Sequence, residues 1–293
     1  MNALLAWYFV AVWGAGYLAT KAGLHYAAPF TFLSLRFGFG LVCLVPVVLL
    51  FRPRWPSARA EWGHLAAAGL LMHVVQLGAS HYAQYLGMSA GVAALVISCQ
   101  PLVTALIAVR FMGEKLSPRQ WAGIALGLGG VALVVWHKID IREVSAGSLA
   151  ATLIALAGVT AGTLYQRTFN PHCDLKAAAV IQFAAAFAVF VPLAFAVEGF
   201  KVQYSATLFA SIAFLVVFTS LLGVSALYVL TRQGQASRVT SMMYLPAVFA
   251  VVLELALFHV VPSPLSLAGI AVTCAGVAMT VWKKKWKSSI TSR

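Results

Sequence analysis

Apolar residues run through this chain in blocks of about twenty, separated by short clusters of charge and proline. About 20 mostly apolar residues is the length at which an α-helix crosses a hydrocarbon core. Ten blocks qualify, at 3–22, 30–51, 63–86, 89–111, 120–137, 147–167, 177–197, 207–230, 238–258 and 265–282. The connections hold most of the charge and several prolines: Pro53, Pro56, Pro118, Pro171 and Pro262. The pattern predicts an all-α membrane protein of ten transmembrane helices.

The blocks repeat. At an offset of 146, Ala122–Trp136 aligns with Ala268–Trp282, and nine of fifteen positions are identical. The same offset pairs Ala15-Gly16 with Ala161-Gly162, Lys21 with Arg167, Phe37 with Phe183, Pro46 with Pro192 and Tyr82 with Tyr228, while Pro101 pairs with Pro246 at 145. The chain therefore reads as one five-helix unit written twice, 1–143 and 144–293, the second ending in a basic tail. An odd number of spans per copy makes the two copies inverted, related by a pseudo-two-fold axis in the membrane plane. Glycines on helix 5 (Gly123, Gly127, Gly130), with Gly269, Thr273 and Gly276 on helix 10, permit close helix approach, within the fold or at a dimer face.

Composition agrees: 62% of residues are hydrophobic and 9% charged, where a soluble domain carries about 25% charge. The net charge of +13 does not point to nucleic acid, because the cations sit between apolar runs. Counted by alternate connections, fifteen of the twenty Lys and Arg fall on one side, in the loops after helices 2, 4, 6 and 8 and in the tail, and four on the other. Cations concentrate on the cytoplasmic side, so both termini are expected there, and the KKKWK tail reads as a headgroup anchor. The first apolar run lacks a basic n-region, so a cleavable signal is not expected. Cys43, Cys99, Cys173 and Cys274 stand singly, which predicts small packing residues and neither disulfides nor a metal site.

Ten spans as five plus five, proline within helices 4 and 9, and a Gly-Glu-Lys-Leu-Ser turn at Gly113–Ser117 leading into a Gly-rich helix resemble the EamA branch of the drug/metabolite transporters. The second copy departs from the motif, with His259 where Glu114 would recur. The overall look is most similar to amino-acid exporters of the YddG type. The resemblance implies export or exchange of small metabolites by alternating access at a bacterial inner membrane, with amino acids, aromatic ones included, as cargo.

Polar groups in hydrocarbon face a cavity or another helix. On helix 3, His73, Ser80 and Gln84 fall within about 40° of one another at 100° per residue, with Gln76 and His81 to either side. This stripe lines water or substrate, or it bonds neighbouring helices. Helix 4 carries Ser98, Cys99 and Gln100 before Pro101, and helix 9 carries Ser241 and Tyr244 before Pro246. Proline frees a carbonyl and kinks the helix, which makes both places candidate binding elements or packing kinks. Trp13 and Tyr17 share a face of helix 1. With Tyr165, Tyr228 and Tyr244 they supply an aromatic pocket or an interfacial belt.

Arg36 and Glu254 lie inside spans at a similar depth of about 6–10 Å, which permits an ion pair acting as an outer gate, or snorkelling to the headgroups. His73, His81 and Glu254 are the proton-carrying candidates. No GxxxxGK[ST] motif appears, so ATP is not the expected driver. HExxH, GxSxG and paired membrane Asp are also absent, which disfavours an intramembrane enzyme, and no charged rings or filter repeats suggest a channel. The expected partners are a small-molecule substrate and membrane lipid, with no cofactor. Multidrug export is the alternative within the fold.

Overall fold

The computed structural model describes residues 2–112, 117–140, 144–170, 173–223, 245–259 and 261–281. Among them nearly all backbone is helical. In chain order the elements are α1 (Asn2–Gly23), α2 (Pro29–Phe51), α3 (Arg59–Gly69), a π-helical turn π1 (Leu70–Val75), α4 (Gln76–Tyr85), α5 (Ala90–Ile97), α6 (Gln100–Met112), α7 (Pro118–Asp140) and α8 (Ala146–Phe169). They continue with α9 (Leu175–Leu193), π2 (Ala194–Glu198), α10 (Ala206–Ala213), π3 (Phe214–Gly223), α11 (Leu245–Phe258) and α12 (Pro264–Val281). Among the described residues, five stretches are long and apolar enough to cross a membrane: Pro29–Phe51, Ala90–Phe111, Ala146–Phe169, Leu175–Glu198 and Ala206–Gly223.

Local chemistry starts these helices. Backbone donors at a helix start have no partner within the helix. Ser89 accepts from the Val92 amide at α5, Ser205 from Leu208 at α10, and Asp174 from Lys176 at α9. Ser145 and Ser148 form a reciprocal capping box at α8. Pro29 opens α2, where its missing amide donor costs nothing. The tight return from α4 to α5 turns at Gly87, whose φ of +96° suits glycine.

Two of the π-helical segments occupy matching places in the chain. Shifting π1 by 146 positions lands within π3. Such distortions shorten the local rise and free backbone groups, and they concentrate at working positions of helices.

The helices pack in a set of long pairs: α2 on α9, α4 on α8, α1 on α11, α5 on α11, and α7 on α12, the most extensive of them. Glycine decides the closest crossings. A Cβ on Gly130 would meet Thr273 and the Gly269 carbonyl, and one on Gly276 would meet the Gly127 amide and the Gly123 carbonyl. A Cβ on Gly16 would touch Leu215 and Thr219, and one on Gly162 would touch Leu71 and Met72. The helix 5 and helix 10 glycines thus serve packing inside the chain. The four cysteines are free thiols.

Candidate functional site

At the middle of the α2–α9 contact, Phe37 and Phe183 meet edge to face with ring centroids 5.1 Å apart. His73, on π1, completes a triangle with them, 5.3 Å from Phe37 and 5.4 Å from Phe183. One residue before each phenylalanine sits a buried polar side chain, Arg36 on α2 and Gln182 on α9. Gln182 donates to Gln166 Oε1 at 3.3 Å. Arg36 donates to Ser220 Oγ on π3 at 3.3 Å, and that hydroxyl donates in turn to the Leu215 carbonyl, the i−5 partner that a π-helical turn brings into reach. This polar layer links α2, α9, π1 and π3.

Arg36 is its dominant charge. The residue is 6% exposed, and among the described residues no carboxylate pairs with it. A buried guanidinium with only a hydroxyl partner is costly in an apolar medium, and an arriving anion would relieve that cost.

The expected pair between Arg36 and Glu254 does not form. Glu254 is 3% exposed, and Lys21 Nζ donates to its Oε1 at 2.8 Å. The Ala90 and Gly91 amides donate to Oε1 and Oε2 at 3.2 and 3.0 Å. Similar depth along two helices did not put Arg36 and Glu254 on facing sides. The free amides at the start of α5 and the cation at the end of α1 satisfy the carboxylate instead. Glu198 does the same for α2, accepting from the Phe30 and Thr31 amides at 2.9 and 2.7 Å and from Thr31 Oγ1 at 2.7 Å. Nearby, Ala27 bridges Val202, and the Gln203 amide donates to the Tyr26 carbonyl. This end of the bundle is therefore tied between early and late elements.

The polar stripe of the third apolar block is split. Ser80, His81 and Gln84 are buried, and His73 and Gln76 half-buried. His81 Nε2 lies 3.4 Å from Thr20 Oγ1 on α1, a contact between helices, with Phe32 beside the ring. The Gln76 backbone backs onto Gly158. The helix in the fourth block breaks at Ser98–Cys99, just ahead of Pro101. Ser98 Oγ donates to the Leu95 carbonyl at 2.6 Å, and Gln100 Nε2 donates to Thr163 Oγ1 at 3.0 Å.

Trp13 stacks near Phe9 at 4.8 Å and lies against Gly223. Tyr17, half-buried, packs on the largest apolar cluster. Tyr165 OH lies 2.8 Å from His64 Nδ1, away from the Arg36 layer, in a cluster with Phe169. Pro246 is buried near the start of α11 with its carbonyl facing Gly14. Tyr228, Ser241, Tyr244, the Gly113–Leu116 part of the turn and the KKKWK tail lie outside the described residues. Gln182, Ser220, Lys21 and Glu198 were missed. Moving Arg36 by 146 positions arrives at Gln182, so the repeat itself carried that signal. Lys21 was counted as a loop cation, although α1 runs on to Gly23.

Comparison with known proteins then places the chain. It is 28% identical over 72% of its length to 68% of a probable amino-acid metabolite efflux pump of Escherichia coli K12. It is 27% identical over 86% of its length to 80% of YedA, an uncharacterized inner membrane transporter of the same strain. It is 26% identical over 97% of its length to 92% of the uncharacterized transporter YvbV of Bacillus subtilis 168. A solved protein crystal structure superposes over 95% of both chains with a TM-score of 0.67 at 18% identity, a likeness of fold. The EamA-like transporter family matches residues 1–136 and again 144–282. A helical membrane chain with a buried polar layer, matched along almost its whole length by one transporter family, belongs to the EamA-like transporter family and is a transporter, not an enzyme.

Proposed function

We propose that this protein is a secondary transporter that exports small amphipathic metabolites, amino acids with aromatic ones among them, by alternating access of two inverted five-helix halves, 1–143 and 144–293. The observation that carries the reading is the exchange of packing partners under the 146-residue offset. Gly130 faces Gly269 and Thr273, and Gly276 faces their counterparts Gly123 and Gly127. Gly16 faces π3, and Gly162 faces π1. Phe37 faces its own counterpart, Phe183. A two-fold relation between halves produces this reciprocity, and the double match of one family supports it.

Such a fold has two packings of similar energy, exchanged by the pseudo-two-fold, and rocking between them exposes a central layer to one side and then the other. The Lys and Arg distribution puts both termini in the cytoplasm of a bacterial inner membrane, and so puts the end tied by Glu198 and Glu254 outside. Arg36, near the pseudo-two-fold, is suited to hold a substrate carboxylate, and His73, Gln182 and Ser220 would surround it with neutral polar groups. A buried uncompensated cation disfavours cationic drugs as cargo. The name of the Escherichia coli efflux pump supports amino-acid metabolites as the class.

Counterflow of labelled amino acids in liposomes carrying the purified protein tests this. Saturable flux competed by phenylalanine, tryptophan or methionine, and lost in Arg36→Gln, is the expected result. Flux absent for every amino acid in an otherwise folded preparation overturns the cargo. Flux undiminished in Arg36→Gln overturns the role of that residue.

A further inference from the structure

A second concavity lies at the opposite end of the bundle from Glu198. The loop after α2, the start of α3, the end of α8 at Phe169–Asn170 and the start of α9 at Cys173–Ala177 line a cleft of about 570 Å³, within the range of small-molecule sites. Two aromatic side chains, Trp55 and Phe169, line it. Trp55 stacks on Trp62 at 5.7 Å with the planes 5° apart, and Trp62 Nε1 is fixed by the Pro56 carbonyl at 3.0 Å. Phe169, also lining the cleft, stacks on His64 at 4.7 Å.

The acids in the wall already have partners. Glu61 Oε2 accepts from the Ser57 amide at 3.0 Å. Asp174 accepts from the Arg54 amide at 3.1 Å and the Lys176 amide at 2.9 Å. What stands open is donor chemistry. The Arg54 side chain lines the cleft and has no ion pair among the described residues. Asn170 is 8% exposed, and its Nδ2 is buried without a hydrogen-bond partner. A buried amide donor left unmade costs about 1–3 kcal/mol, a cost that a bound acceptor removes.

We propose that this cleft is a second ligand site, separate from the Arg36 layer, that takes an aromatic amino acid, with its carboxylate on Arg54 and Asn170 and its ring among Trp55 and Phe169. The proposal rests on the transport reading for its meaning: at the cytoplasmic end the cleft captures cargo before it reaches the central layer. A lipid phosphate offers the same acceptor chemistry. The depth of Asn170, 8% exposed, favours a small molecule that can enter whole over a headgroup tethered to the bilayer.

Cys173 lines the cleft and reports on it. Burial pushes its thiol pKa up, so alkylation is best followed near pH ~8.5. In the full-length protein carrying C43A, C99A and C274A, maleimide labelling of Cys173 is timed with tryptophan, with tryptophanamide, and with phosphatidylglycerol micelles. Tryptophan is expected to slow labelling about tenfold at about ten times its half-protecting concentration, and tryptophanamide to leave it unchanged. Asn170→Leu removes a donor that has no partner, so it is expected to lose protection without losing thermal stability. Arg36→Gln is expected to keep protection while losing flux.

Protection with no amino-acid flux in any variant would leave this site standing and remove amino acids as the transported cargo. Flux without protection, protection by phosphatidylglycerol alone, or protection lost in Arg36→Gln and kept in Asn170→Leu would each overturn the site.

Discussion

Phe37 and Phe183 stand 146 positions apart in the chain and touch edge to face, their ring planes 82° apart. Residues related by a two-fold meet each other only at the axis, so in the proposed two-half reading this contact would be where the halves pivot. Both rings are almost wholly buried, and Gly40 lies against the Phe183 ring. Phe37→Leu and Phe183→Leu should each lower stability in detergent by about 1 kcal/mol, with a coupling of about 0.5–1.5 kcal/mol in the double mutant. Simple additivity of the two changes in thermal unfolding would remove the contact from the pivot.

Glu254 is a helix cap as much as an ion-pair partner. Both its oxygens receive backbone amides of α5, and one also receives Lys21. Glu254→Ala should cost about 3 kcal/mol, because it breaks the pair with Lys21 and leaves the first amides of α5 without their acceptor. Lys21→Ala should cost less, since the two amides remain. The swap Lys21→Glu with Glu254→Lys should not restore stability, because an ammonium cannot accept from Ala90 or Gly91. Recovery to near the native melting temperature in the swap would show that charge pairing alone holds this end.

Much of the architecture was legible because lipid imposes a simple length rule. Among the described residues several apolar blocks fall on helices to within a few residues, as 3–22 does on Asn2–Gly23 and 30–51 on Pro29–Phe51, while 207–230 and 238–258 run partly outside the described residues. The small residues of helices 5 and 10 pointed to a close helix crossing, and the structure places it within the chain, between α7 and α12. What stayed hidden depends on rotation about each helix axis and on neighbours. Depth put Arg36 and Glu254 at one level but could not say which way each faced. Pro101 signalled trouble in helix 4, yet the break comes at Ser98–Cys99, where Ser98 Oγ competes for the Leu95 carbonyl. The π-helical segments carry no compositional mark, and Leu70–Val75 reads as ordinary apolar helix. His81 reads equally as a cavity or a packing histidine from sequence, and only the Thr20 contact shows that it bonds another helix.

Asp174 gives a pH-dependent prediction. Burial raises its carboxyl pKa, but the Lys176 and Arg54 amides and the Lys176 ammonium outweigh that, and it sits below the ordinary value of 3.8. A carboxyl depressed in the folded state stabilises above its unfolded pKa, and that stabilisation is lost as pH falls through the folded value. Asp174→Ala should therefore lower stability by about 1 kcal/mol at neutral pH through loss of the α9 cap. The gap to the native protein should hold steady down to about pH 5 and narrow below about pH 4. A gap that widens on acidification would mean that Asp174 acts in its protonated form.

Neighbouring glycines on α7 provide the sharpest control. Nothing lies within 4 Å of a Cβ placed on Gly129, whereas one on Gly130 would strike Thr273 and the Gly269 carbonyl. Gly276 faces the same obstruction from the other side, at Gly127 and Gly123. Alanine in an exposed helix position is favoured over glycine by up to ~1 kcal/mol, so Gly129→Ala should leave stability level or raised and flux intact. Gly130→Ala and Gly276→Ala force α7 and α12 apart, which should cost about 1–3 kcal/mol each. Because the two positions are counterparts across the repeat, their losses should match within about 0.5 kcal/mol. Thermal unfolding of the three variants in one detergent decides it. A harmless Gly130→Ala, or a loss at Gly276 with none at Gly130, would break the reciprocity on which the two-half reading depends.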